Sequence, residues 1–181
     1  MATIGLKGGE KLDAYLAKLT AKLDKPATLS VGFLAGSTYP DGTSVPMIAA
    51  IQEFGAPSVG IPPRPYFRSM IKDKSPGWGS ALAKSLKATG YDASQALGIM
   101  GEGIKGQLQE SIINTMAPPL SPVTIMLRHM KSQDQSLVVT GRTVAEARAR
   151  VAAGESAGGA STKPLVDTGH LLNSVSYEVK S

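Results

Sequence analysis

Proline decides where this chain cannot continue a helix or a central strand. Its ring fixes φ and removes the backbone N–H, so each proline marks a corner, an edge or a helix start. Six of the twelve fall in two tight groups, Pro62, Pro63 and Pro65, and Pro118, Pro119 and Pro122; Pro164 opens a third corner. The runs Pro118-Pro119-Leu120-Ser121-Pro122-Val123-Thr124 and Pro164 to Val175 each lead into a hydroxyl- or acid-capped helical start, with Arg128 between them. Neither run holds an acid–base pair, a metal cluster or a phosphate cradle. They read as shape-setting punctuation, which suits an assembly protein better than a catalyst.

Between the corners the apolar spacing is mostly helical. Leu12, Tyr15, Leu16, Leu19 and Leu23 repeat at three and four residues and predict an amphipathic helix that stops at Lys25-Pro26. Leu29, Val31 and Phe33 alternate in a strand over 28–34, and Tyr39-Pro40-Asp41-Gly42 is a turn. Ser44 is placed to cap a short helix carrying Met47, Ile48, Ile51 and Phe54, ended by Gly55. The prolines hold 55–65 extended. Helices follow from about Pro65 to the Ser75-Pro76-Gly77 break, over 78–88, and from Asp92 to about Thr115. The last buries Leu97, Met100, Ile104, Leu108 and Ile112. A short helix spans 122–130. Residues 132–163 are small and polar, with few apolar groups beyond Leu137, Val138, Val139, Val144 and Val151, and are expected to be a mobile arm ordered by a partner. Asp167 is expected to cap a helical turn over 167–174, and Val175, Tyr177 and Val179 alternate as a final strand. One domain over 1–181, with the arm at about 132–163, fits this length.

Charge adds one pointer. The net charge is +5, and the whole excess lies in 61–90: Arg64, Arg68, Lys72, Lys74, Lys84 and Lys87 against Asp73 alone. Arg64, Arg68 and Lys72 are four apart, so a helix would stack them on one side. That row is either a solvated face or a patch for an acidic partner or nucleic acid. The chain has no cysteine, which excludes disulfides, thiol nucleophiles and Cys-based zinc sites. No apolar run approaches ~18 residues, and the N-terminus turns polar early, so neither a membrane helix nor a signal peptide is expected; synthesis is expected in the cytoplasm.

Catalytic motifs fail one by one. Gly101-Glu102-Gly103-Ile104-Lys105-Gly106 matches G-x-G-x-x-G but lies inside a helical pattern rather than between a strand and a helix, so close packing explains it better than a dinucleotide. Ser69 and Lys72 have S-x-x-K spacing without companion motifs. His129 and His170 lack acids at ligand spacing. Glu53 has no second acid near it in sequence and reads as a surface or interface salt bridge. No catalytic residue, metal ligand or cofactor site is expected.

The segments Ala50-Ile51-Gln52-Glu53-Phe54-Gly55, Ile61-Pro62-Pro63-Arg64-Pro65-Tyr66-Phe67-Arg68, Pro-Leu-Ser at 119–121 and Leu-Val-Asp-Thr-Gly-His-Leu-Leu-Asn-Ser at 165–174 resemble tailed-bacteriophage neck and tail-completion proteins. The match runs in order from about Val31 to Val179. The I-x-E-F-G … I-P-P-R-P-x-F pair is fairly specific, whereas D-T-G-x-L alone is weak. The resemblance implies an α+β fold, with a small, mostly antiparallel sheet flanked by several helices and extended loops or arms. It implies a non-enzymatic virion protein of the head–tail junction, built as a ring, sixfold to match a tail. Neighbours would be head-completion or connector proteins and tail-tube or tail-terminator proteins, with non-specific contact to packaged DNA and no membrane. Two alternatives stay open: a tail terminator capping the tube, and a nucleic-acid-binding protein using its basic helix face. Interface candidates are Glu53, Phe54, Ile61, Pro62, Pro63, Arg64, Pro65 and Leu137-Val138-Val139. Candidates for the DNA channel or an acidic partner are Arg64, Arg68 and Lys72.

Overall fold

A computed structural model describes residues 9–23 and 27–180. The architecture is α+β, with one small antiparallel sheet among helices. Its axis is helix α5, Ala93–Asn114, whose N-cap Asp92 accepts from Gln95 N at 3.0 Å. Ala96, Met100, Ile104, Leu108 and Ile112 recur every four residues and form its buried row. Leu97, expected in that row, is only half-buried.

Strands β1 (Thr28–Phe33) and β2 (Val175–Lys180) lie on this helix as an antiparallel ribbon. Leu29 pairs with Val179, Val31 with Tyr177 and Phe33 with Val175, so the alternating apolar residues of both strands share one face. Helices α3 (Tyr66–Lys74) and α4 (Trp78–Ala88), joined by a 3₁₀ turn at Ser75–Gly77, pack against α5. Helix α2 (Val45–Phe54) packs on α3 and β1. Its cap is the expected Ser44, but its phase differs. Val45, Ala49 and Glu53 face inward, while Met47 and Phe54 stay exposed. The inward side is the one that brings the Glu53 carboxylate to the start of α3. Helix α1 (Gly9–Leu23) forms where its spacing predicts, yet Leu12, Tyr15 and Leu16 remain on the surface. Lys22 Nζ donates to Gly90 O at 2.9 Å. The expected stop at Lys25-Pro26 lies outside the described residues.

Of the glycines at 98, 101, 103 and 106, only Gly101 has a close neighbour: the Tyr177 ring of β2 occupies the place where a methyl group would sit. Gly101→Ala should therefore destabilise, although alanine is intrinsically the better helix former. Overpacking of this kind costs roughly 1–3 kcal/mol, or about 2–12 °C in Tm at this chain length. In a Tyr177→Ala background the same substitution should be harmless or helpful. Thermal melts of the two single variants and the double variant test that non-additivity.

A second, smaller core joins α6 (Pro122–Gln133) to α7 (Gly141–Ala152) through Met126, Met130 and Ala147, flanked by Leu137, Val151 and Ala157. This corrects the expected mobile arm over 132–163. Thr140 and Thr143 form a reciprocal capping box at the start of α7, and buried Ala147 lets the two helices approach closely. One small apolar face suffices for a helical hairpin, so the average polarity of the segment misled. The Asp167 cap is also corrected. The last helical turn, α8 (His170–Asn173), starts at Gly169 with no side-chain cap, and Asp167 instead lies 3.6 Å from Arg128 Nε.

Candidate interaction site

The proline corners are held from inside by arginines. Proline-rich backbone leaves carbonyls without helical or ladder partners, and a guanidinium supplies several donors in a fixed fork. Arg64 is buried, and its side chain donates to Pro118 O at 2.9 Å, Pro119 O at 3.4 Å and Gln52 Oε1 at 3.1 Å. Its own N–H donates to Gln52 O at 2.8 Å. Burial, with Arg128 nearby, lowers the Arg64 pKa from its ordinary value. Arg128 repeats the device one corner later. It donates to Ser161 O at 2.9 Å, Lys163 O at 2.7 Å and Pro164 O at 3.1 Å. Burial lowers its pKa and Asp167 opposes that shift. The sequence flagged Arg128 without giving it a role, because its acceptors are 33–36 residues away.

Glu53 is buried as well, not on the surface. Its Oε2 accepts from Phe67 N at 2.8 Å, and its Oε1 accepts from Arg68 N at 3.2 Å and Arg68 Nε at 2.8 Å. It therefore caps α3 from a neighbouring helix, at the position where Pro65 brings no side-chain cap. Both oxygens are engaged, which makes this carboxylate a structural acceptor. Gly55 closes α2 at φ 78° and lies against Ile61 O and Pro63 N, folding the 55–65 loop back onto the helix end.

The expected basic row does not form. Helix α3 begins at Tyr66, so Arg64 precedes it, held by its flanking prolines and turned toward the 118–119 corner. Arg64 thus leaves both the surface-interface and the channel candidates. Arg68 folds back on Glu53 and stands 4.9 Å over the Phe54 ring, and Lys72 stays exposed. Pro63 and Pro65 are exposed, while Ile61 and Pro62 are half-buried. Leu137 is half-buried in the α6–α7 core, but Val138 and Val139 are 70% and 55% exposed.

What these elements leave open is a groove of about 380 Å³ along β1, between its Ser30–Leu34 stretch and α2 with the start of α3. Leu34, Phe54 and Phe67 give it an apolar lining; Arg68, Glu53 and Glu178 add one positive and two negative groups, with Arg68 paired to Glu53. Leu34 and Phe54 are 51% and 63% exposed there, an uncovered apolar surface of the kind that marks contact sites. Phe54 was anticipated. Leu34 and Phe67 were missed, because only the register of β1 against α2 and α3 brings them together.

A second cavity of about 350 Å³ lies under the Tyr39–His170 ring pair, 4.6 Å between centroids, with Asp41, Lys131 and Asp167 around it. His170 Nε2 is 3.0 Å from Thr38 O. The Tyr39 pKa is raised by burial, then by Asp167 and Asp41. Among the described residues no group of three or more His, Asp or Glu side chains gathers at metal-binding spacing, and no helix is long and apolar enough to cross a membrane. The G-x-G-x-x-G run lies inside α5, where its backbone belongs to the helix. No protein-family model, curated protein or solved structure matches the chain.

Proposed function

We propose that this chain is a structural protein of the head–tail junction of a tailed phage, assembling as a ring around the DNA channel and joining the tail to the head-side connector. The observation that carries the reading is the interlocking of the resemblance's own residues. Gln52 holds Arg64, and next to it Glu53 holds Phe67 and Arg68; of these, Glu53, Phe67 and Arg68 line an uncovered apolar groove. Residues spent on rigid corners beside a groove, rather than on a reacting centre, suit a part that must present a fixed shape to neighbours. A ring also explains exposed apolar side chains at separate places, since each subunit meets a neighbour on two different surfaces. A tail terminator would use the same features and differ only in what it contacts.

The nucleic-acid reading keeps a narrower basis. Lys72, Lys84 and Lys87 are exposed on α3 and α4, and phosphate contacts need no more than such side chains. In the ring reading they serve the channel wall.

The test is native mass spectrometry and negative-stain imaging of the purified chain at high concentration, alone and with phage tail tubes. A closed oligomer of fixed copy number that seats on tube ends is expected. A monomer at every concentration that ignores tubes overturns the reading. Salt-sensitive binding of random duplex DNA by that monomer selects the nucleic-acid alternative.

A further inference from the structure

We propose that residues 137–140 of one copy add as a strand to the free edge of β1 in a neighbouring copy, placing a valine in the groove beside Phe54 and Phe67. The inference rests on the assembly reading and assigns its subunit contact.

Strand β1 is hydrogen-bonded to β2 on one side only, and among the described residues no strand pairs with its other edge. An open edge carries alternate unpaired N–H and C=O groups, and protein chains join there by strand addition. The groove opens beside that strand on the ribbon face where Ser30 and Gly32 sit with Ser176 and Glu178 of β2, so an added strand gains main-chain bonds at the edge and reaches the groove with the side chain it turns to that face.

The matching strand is already shaped. Residues Leu137 to Thr140 run without helical or turn structure between α6 and α7. Among the described residues the N–H groups of Val138 and Val139 have no hydrogen-bond partner. Val138 and Val139 are β-branched, the type that favours an extended chain. Their exposures of 70% and 55% put them among the most uncovered large apolar side chains of the described fold. Leu137 is tied into the α6–α7 core and Thr140 caps α7, so both ends of the run are anchored and little order remains to be imposed on docking. Successive strand residues point to opposite sides, so one valine enters the groove and the other lies outside it.

A second copy is the occupant, since the same chain carries both the open β1 edge and the exposed, extended Val138-Val139 run. Donor and acceptor are different surfaces of one chain, so every subunit gives one strand and takes one. That is the heterologous contact from which rings are built.

Because the chain has no cysteine, engineered pairs report without background. Full-length Val139→Cys is mixed with Ser30→Cys, with Leu34→Cys and, as control, with Ile99→Cys, an exposed position on α5. Mild oxidation should yield covalent heterodimers with Ser30→Cys or Leu34→Cys, according to strand direction, and none with Ile99→Cys. Val138→Asp combined with Val139→Asp should weaken assembly at least tenfold by native mass spectrometry, with the thermal midpoint unchanged because both side chains are exposed. Rings that form without either cross-link and withstand the double aspartate overturn the strand contact and leave the assembly reading intact. Absence of any oligomer in the unmodified protein overturns both.

Discussion

Arg64→Met is expected to lower the thermal midpoint by roughly 10 °C, one of the two largest single-site effects in this chain. The substitution keeps most of the buried volume and removes only the fork. Pro118 O and Gln52 Oε1 then lose a charged donor inside the fold, and Pro119 O loses a longer one. A hydrogen bond to a charged group is worth about 1.5–3 kcal/mol, and a buried acceptor left without a partner costs a similar amount. Some water will reach an opened corner, so about 3–4 kcal/mol is the expected loss, at ~2–4 °C per kcal/mol for this size. Arg64→Lys should recover less than half, because an ammonium reaches one acceptor and cannot span three. Circular-dichroism melts of both variants decide the matter. If Arg64→Met melts with the parent protein, the 118–119 corner is held by packing alone, and the arginine is dispensable to the monomer.

The contrast between Arg64 and the long helix shows what the sequence could tell. Helix α5 was readable because its buried row repeats every four residues and Asp92 announces its start; both signals are local. Ser44, the Tyr39–Gly42 turn and the two alternating strands were readable for the same reason, and the turn closes with Gly42 N donating to Tyr39 O at 2.9 Å. Arg64 was misplaced by counting fours through a proline-flanked residue. Its partners lie 54 and 55 positions away, and no local pattern announces them. Met47 and Phe54 belong to the apolar spacing of α2, and Phe54 is also an interface candidate. Helix α2 leaves both exposed because Val45, Ala49 and Glu53 take the inward side, where Glu53 has two backbone N–H groups of α3 to satisfy. Likewise, the glycine-rich stretch of α5 suggested close packing, but only the register of β2 shows that Gly101 alone receives a ring. Buried polar contacts between distant segments decide these details, and composition is blind to them.

Glu53→Ala is expected to destabilise by about 3 kcal/mol, and the comparison with Arg68 identifies the reason. The carboxylate does two jobs: it accepts from two main-chain N–H groups in the first turn of α3, and it pairs with the Arg68 side chain. If the ion pair dominated, removing either partner would cost the same. Yet the Arg68 side chain is 58% exposed, and pairs that open to water contribute about 0–1 kcal/mol. The N–H groups sit in a part-buried site under the carboxylate, where water replaces it less well. Loss of a helix cap costs about 0.5–2 kcal/mol, and a buried polar group left unsatisfied adds about 1–3. So Arg68→Ala should cost under about 1 kcal/mol, while Glu53→Gln, which keeps one acceptor oxygen but turns an amide donor toward a donor, should fall between the two. Urea titrations of the three variants give the order. Equal losses for Glu53→Ala and Arg68→Ala would assign the stabilisation to the ion pair and leave α3 without need of its cap. The expected order makes Glu53 the residue that fixes where α3 begins, and with it the position of Phe67 in the wall of the groove.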